Sequence, residues 1–346
     1  MALLEYVKQI RSLFDNSNPY CISVGCVSLL GYLIWRNRSH TSRMDLTKKA
    51  IFISGCDSGF GYSLALHCAN NLGLLVIAGC YVPGGDESGW KSLESSTKGN
   101  LKLVHLDVTK SRSIEEAVKA TKAFLHSQEA RLWCVVNNAA VLVFGQAEWQ
   151  PMDMIRHQFE VNTFGAFALA KAFLPMLRES EGRIINMISY CTDCPMPTLT
   201  VYTASKAALK SLSIGLREEL ITIGAKVDVI LFNPGDHPFE TPLCSGQGAN
   251  YEVMEKEVEH ISDSRLFKDH FLRCREKFAG LFPKPELKPL DNVGLYHSFE
   301  AMISSRHPDF EYVNSDLITQ GFFGLIKKLP THWADKMRIS MMKLPK

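Results

Sequence analysis

Six short and almost wholly apolar runs recur between about residues 48 and 235: "KKAIFISG", "LLVIAGC", "LKLVHLDV", "RLWCVVNNA", "GRIINMIS" and "KVDVILFNPG". Runs of this length, rich in β-branched residues, predict strands. Several of the segments between them carry apolar residues at helical spacing. Alternation of this kind means a parallel sheet. Strands without a polar side are expected where helices cover both faces, and right-handed crossovers then give an α/β fold with a doubly wound parallel sheet.

After Gly235 the rhythm breaks into a long charged and aromatic section. Residues 236–300 are read as a capping segment inserted over the sheet's C-terminal edge, within a domain of residues 49–300. Residues 301–346 are read as a C-terminal extension. Between Met254 and Phe278, the residues Val258, Ile261, Phe267, Phe271, Cys274 and Phe278 make a partly helical apolar stripe. Such a stripe either roofs a lipid pocket or simply covers the core. In the tail, Phe322, Phe323, Leu325, Ile326, Leu329 and Trp333 stand among Lys327, Lys328, Lys336 and Arg338, a composition suited to a membrane interface.

The N-terminus divides into a leading segment (1–19), an uncharged run from Tyr20 to Trp35 (20–35) and a polar linker (36–48). The uncharged run is shorter than the roughly 20 residues of a full helical span. It starts late and no small-residue cleavage site follows, so a retained membrane anchor is expected rather than a signal peptide. Arg36, Arg38, Arg43, Lys48 and Lys49 trail it, which places the bulk of the chain in the cytosol. A short span suits the thin endoplasmic reticulum bilayer better than a mitochondrial membrane.

Composition narrows the function classes. With 346 residues, 46% hydrophobic content and a net charge of +2, the chain is folded and has no overall bias toward nucleic acid. Ten cysteines are scattered rather than framing a small secreted domain, as expected in a reducing compartment. Cys191 and Cys194 form a CxxC without a second ligand pair, and His237 and Glu240 stand in a polar loop, so no metal is expected.

Two motifs carry chemistry. "SGCDSGFG" places Gly55, Gly59 and Gly61 at the first strand-to-helix turn, where a pyrophosphate approaches backbone N–H groups. "YTASK" places Tyr202 and Lys206 four positions apart, on one helix face. A tyrosine near its free pKa of about 10 is a poor base. A lysine one turn on would favour its phenolate, so the pair is expected to titrate below that value. Ser189, at the end of a strand, can orient a substrate oxygen.

From Lys48 to Gly235 the chain resembles the short-chain dehydrogenase/reductase family. "SGCDSGFG" is similar to its glycine motif with Ser54 in place of threonine, "LDVT" to its adenine-contacting strand end, and "NNAA" to its central-strand motif with Ala140 in place of glycine. Asn162, Ser189, Tyr202 and Lys206 match its catalytic tetrad in order. The wording "GCDSGFG" and the tail resemble a branch of membrane-bound retinol and hydroxysteroid dehydrogenases, to which hydroxybutyrate dehydrogenases are also similar.

The resemblance implies a Rossmann-type domain whose dinucleotide is held at the glycine turn by Ser54, Gly55, Ser58, Gly59, Phe60 and Gly61. Cys80 would serve at the second strand end, Asp107 and Val108 at the third, and Asn138 and Ala139 at the fourth. Pro234 and Gly235 follow the sixth, with Tyr202 and Lys206 at the nicotinamide ribose, and Asn162 would hold a water linking the lysine to solvent. Thr241 lies farther from Gly235 than the family's usual threonine. Asp86 and Glu87 stand near the second strand end and no basic residue stands in the glycine loop, so NAD is expected over NADP, which is not excluded.

The expected function is interconversion of an alcohol and a ketone or aldehyde on a hydrophobic substrate, a steroid or sterol first and a retinoid second. A catalytically silent dinucleotide sensor or scaffold and a hydroxybutyrate-type short-acid dehydrogenase are the alternatives. Expected partners are the membrane and the small molecule, with no nucleic acid and a homodimer left open.

Overall fold

The computed structural model describes residues 43–81, 88–97, 99–261 and 265–344. The anchor at 20–35 and the acidic pair Asp86 and Glu87 lie outside the described residues. Among the described residues no helix is long and apolar enough to cross a membrane.

The six expected strands form: β1 (Lys49–Ser54), β2 (Leu75–Cys80), β3 (Leu101–His105), β4 (Arg131–Asn137), β5 (Arg183–Met187) and β6 (Asp228–Asn233). A seventh, β7 (Glu311–Val313), completes a sheet of order β3-β2-β1-β4-β5-β6-β7. Every neighbouring pair is parallel. Eleven helices are described: α1 (Gly59–Leu66), α2 (Ser88–Ser96), α3 (Ser111–Ser127), α4 (Met152–Phe159), α5 (Ala166–Ser180), α6 (Thr200–Thr222), α7 (Gln247–Ile261), α8 (Arg265–Phe278), α9 (Val293–Ser304), α10 (Leu317–Ile326) and α11 (Thr331–Met342).

Side-chain alternation sorts β1 between two faces. Ala50 and Phe52 pack in one core with Ile114, Leu125, Leu169 and Phe173 of α3 and α5. Phe52 and Phe173 have ring centroids 4.6 Å apart. Ile51 and Ile53 point to the opposite face and are equally buried. Trp133 of β4 donates its indole N–H to the Ile303 carbonyl at 2.8 Å, tying the end of α9 to the sheet. A six-residue π-helical turn, Glu160–Gly165, joins α4 to α5 and carries Asn162.

Two sequence expectations change here. The apolar stripe of α7 and α8 turns inward: Val258, Phe271, Cys274 and Phe278 pack on Leu142, Val143, Phe144 and Trp149. It is a core covering, and the side chain of Ile261 is outside the described set. The boundary at residue 300 falls inside α9, and the sheet continues beyond it. Glu311–Val313 is too short and too exposed to read as a strand, yet the open edge of β6 offers unpaired backbone groups that the segment satisfies at Leu231–Asn233. Apart from this body, Arg43–Asp45 and Ser304–Pro308 form a small separate unit.

Candidate active site

The glycine turn is built as its sequence requires. Gly55 and Gly59 have φ of +69° and +56°, the left-handed region that favours glycine. At Gly61 a Cβ would overlap the Gly55 carbonyl oxygen. Ser54 is buried, and its hydroxyl accepts from the Asn138 and Ala139 N–H groups at 3.0 and 3.1 Å. The Asn138 amide returns two bonds to the Ser54 and Gly55 carbonyls, at 2.9 and 3.0 Å. The glycine turn and the β4 end are thereby locked together.

A cavity of about 770 Å³ opens over these strand ends. Gly55, Ser58, Gly59, Phe60, Asp107, Val108, Asn138 and Ala139 line it. The Asp107 carboxylate is engaged locally, accepting from the Thr109 N–H and hydroxyl at 2.9 and 2.6 Å. Cys80 is placed differently: its side chain is fully buried, and the half-exposed Tyr81 lines the wall instead. Beside Tyr81 stands Asp57, whose carboxylate accepts from the Tyr81 N–H at 3.1 Å. Asp57 was legible only as a residue inside "SGCDSGFG", with no signal for its orientation. Pro234 and Gly235 face β7, where the Asn314 amide donates to the Pro234 carbonyl at 2.9 Å. Thr241 takes the position against Gly59, where a Cβ built on the glycine would crowd its side chain at 3.3 Å.

Met154, Val161, Leu142, Val143, Leu243 and Val253 give the rest of the cavity an apolar lining, with His157 among them. The described lining contains no lysine or arginine. A smaller adjoining cavity of about 220 Å³ shares Asp57, Ser58, Gly59 and Tyr81 and is bordered by Lys284 and Lys288.

Ser189 and Tyr202 meet, Lys206 follows one helical turn on, and Tyr202 packs in the same cluster as Leu142 and Val143 of the cavity lining. Ser189 caps a short 3-10 turn, Tyr190–Thr192, accepting from the Cys191 N–H at 3.3 Å, while its own N–H donates to Thr192 Oγ1 at 3.1 Å. Tyr202, only 4% exposed, packs against Cys191, Leu199 and Cys244 and meets the Ser189 side chain. Lys206 Nζ donates to the Met187 carbonyl at 3.0 Å.

The electrostatics overturn one expectation. Burial pushes the Tyr202 phenol well above its ordinary value, the neighbouring Cys191 adds to this, and the Ser189 hydrogen bond pulls only partly back. Burial also brings Lys206 down to about 8. The phenol of the free protein is therefore not held below 10, because burial dominates at both groups.

Asn162 is fully buried and fully used. Its Nδ2 donates to the Val141 carbonyl at 2.8 Å and to Ser205 Oγ at 3.0 Å, and its Oδ1 accepts from the Val141 N–H at 2.8 Å. Ser205 Oγ in turn donates to the Tyr202 carbonyl at 2.7 Å. The side chain thus fastens the strand-end loop to the helix turn between Tyr202 and Lys206. Cys191 and Cys194 are free thiols, and among the described residues no cluster could hold a metal ion.

Comparison with known proteins agrees with this geometry. A family profile described as short chain dehydrogenase matches residues 49–250. The rat protein D-beta-hydroxybutyrate dehydrogenase, mitochondrial, is 35% identical over 209 residues, 60% of either chain. The present chain therefore spans about three fifths of that relative's length. Bovine 17-beta-hydroxysteroid dehydrogenase type 6 is 31% identical over 311 residues, covering 89% of this chain and 93% of its own. Among solved structures, a short chain dehydrogenase/reductase from Burkholderia phymatum in complex with NAD superposes with a TM-score of 0.60 over 81% of this chain and 93% of that one. At 20% identity that likeness concerns the fold alone.

Proposed function

Because the chain belongs to the short-chain dehydrogenase family, we propose that it is a nicotinamide-dependent oxidoreductase interconverting an alcohol and a carbonyl on a hydrophobic substrate, a steroid or sterol before a retinoid. The observation that carries this reading is the meeting of the Ser189 and Tyr202 side chains with Lys206 one helical turn on.

The residues fit a dinucleotide. The first N–H groups of α1 have no intrahelical partners, and the positive-φ glycines bring that helix start to the cavity wall. Gly55, Ser58, Gly59 and Phe60 would hold the pyrophosphate, and Asp107, Val108 and Asn138 the adenosine side. The cofactor, when bound, supplies or accepts the hydride.

The protein's own groups manage the proton. Ser189 orients the substrate oxygen, and Tyr202 gives or takes its proton. With its pKa raised, the phenol of the free protein is neutral at physiological pH and poised as an acid, the state required for carbonyl reduction. Oxidation requires the phenolate, which the Ser189 hydroxyl favours and which Lys206 would favour only in its charged form, populated below about 8 in the free protein. Asn162 positions the helix turn that holds both.

NAD is favoured over NADP because the Asp57 carboxylate stands in the cavity wall beside Tyr81, where it would accept from ribose hydroxyls and would repel a phosphate. Lys284 and Lys288 of the adjoining cavity would temper that repulsion. The apolar lining favours a hydrophobic substrate over a short hydroxy acid, whose carboxylate would need a cationic partner. A membrane location fits α10 and α11, which expose Leu317 and Ile318 (each 84% exposed), Leu325, Trp333 and Ile339 near Lys327, Lys328 and Lys336.

The test is to incubate the full chain with NAD or NADP and estradiol, a sterol, retinol or 3-hydroxybutyrate, following nicotinamide absorbance. Turnover of a hydrophobic alcohol is expected. Dinucleotide binding without turnover of any of them would favour the sensor reading, and oxidation of 3-hydroxybutyrate alone would favour the short-acid one.

A further inference from the structure

The turn that begins at Ser189 is held from outside the dehydrogenase core. The Tyr190 ring stacks on Phe323 of α10, with centroids 4.7 Å apart and planes 14° from parallel. Asp193, just past the turn, receives Lys210 Nζ of α6 at 2.8 Å and Lys327 Nζ at 3.1 Å on the same carboxylate oxygen. Lys210 also reaches Glu311 of β7 at 3.1 Å. Cys194 is buried against Ile326 and Ala334 of the tail helices, with Phe323 packed alongside. Burial would raise the Asp193 pKa, but the two lysines outweigh it and hold the carboxyl below its ordinary value.

We infer that α10 is a positioning element for Ser189, acting through a Phe323–Tyr190 stack and a Lys327–Asp193 ion pair on the turn whose first residue orients the substrate oxygen. The inference rests on the oxidoreductase reading for its catalytic consequence, while its structural consequence can be read without a substrate. Ser189 stands at the end of β5 and opens a turn closed by its own capping bonds, and Tyr202 and Lys210 of α6 already meet this stretch. The capping bonds set the turn's shape, while its placement depends on the side chains that hold it, and a small misplacement of a catalytic group is costly. Two clamps beyond those of α6, one ionic and one aromatic, add to that hold, and both come from a segment more than a hundred residues further along the chain. Phe323 and Lys327 touch neither the cavity nor the reacting groups, so their removal should leave dinucleotide binding intact.

The experiment compares the full-length wild type with Phe323→Ala, Lys327→Met and Lys327→Arg. Amide hydrogen exchange is measured in a peptide covering residues 188–194 and in one covering the glycine turn. Faster exchange in the first peptide only is expected for Phe323→Ala and Lys327→Met, with Lys327→Arg close to wild type. On the alcohol that the wild type oxidises, kcat should fall roughly tenfold to a hundredfold with NADH affinity unchanged. Because the Ser189 hydrogen bond lowers the Tyr202 pKa, the rising limb of the pH profile should move to higher pH. Unchanged exchange at 188–194 in both variants would overturn the inference. So would lowered thermal stability with unaltered kcat and pH profile, which marks a merely structural contact. A wild type that turns over nothing while the exchange effect holds would count against the oxidoreductase reading and leave the positioning geometry standing.

Discussion

Lys206 Nζ donates to the carbonyl of Met187 at 3.0 Å, fixing the middle of one face of α6 to the end of β5. Tyr202 lies one turn before it and meets Ser189, and Lys210 lies one turn after it and meets Asp193. Spacing of four residues puts all three on the same face. The helix thus grips the strand end and its following turn at successive points, which places the phenol and the serine hydroxyl against each other.

Removing only the Tyr202 hydroxyl tests its role. Tyr202→Phe keeps the ring packed among Cys191, Leu199 and Cys244, so turnover should drop by at least about 10²- to 10⁴-fold with NADH affinity nearly intact. Lys206→Ala should weaken both. Wild-type turnover in Tyr202→Phe, measured on a confirmed substrate, would rule the phenol out as the acid.

Lys206 also makes a stability prediction with a definite sign. Its pKa falls from 10.5 to about 8 on folding, so between those values the unfolded chain holds a proton that the folded chain has released. Stability from this group is therefore lowest below pH 8 and grows as pH rises toward 10.5, by about 3 kcal/mol in total. The stability difference between wild type and Lys206→Met, from urea unfolding of the cofactor-free protein, should rise across this window. A difference independent of pH would contradict the assigned shift.

Cofactor choice can be read at Asp57. Asp57→Asn keeps an oxygen for the Tyr81 N–H, which now lies 3.1 Å away, and removes the charge. The affinity for NADPH relative to NADH should rise about tenfold, as expected when a like-charge contact is relieved. Fluorescence titration of both cofactors decides it; an unchanged ratio, or a wild type that already prefers NADPH, would refute the preference for NAD.

For the proposed cytosolic orientation, protease added to intact microsomes should digest the region after Arg36 without detergent. Protection of that region would show the opposite topology.

The outward face of α10 and α11 makes a separate claim. Trp333 is 60% exposed, and Leu325 and Ile339 are exposed as well, so brominated anionic lipids should quench its fluorescence, and Leu317→Asp with Ile318→Asp should reduce the quenching. Equal quenching in both forms would mean that this face stays off the bilayer.

The sequence by itself determined the sheet, the place of the glycine turn and the order of Asn162, Ser189, Tyr202 and Lys206. These are local signals: an apolar run declares a buried strand, a left-handed φ calls for glycine, and a spacing of four defines a helix face. Tertiary structure alone decided the rest. Cys80 and Tyr81 are neighbours in the chain, and only the sheet's pleat settles that the cysteine is buried and the tyrosine faces the cavity. Three half-exposed residues, Glu311–Val313, become a strand because the edge of β6 is there to pair with them. The Tyr202 phenol is raised because residues from several distant segments exclude water from it, and no spacing along the chain records that sum. The grip of Phe323 and Lys327 on the Ser189 turn belongs to the same class, since contacts between segments so far apart exist only once the intervening sheet has formed.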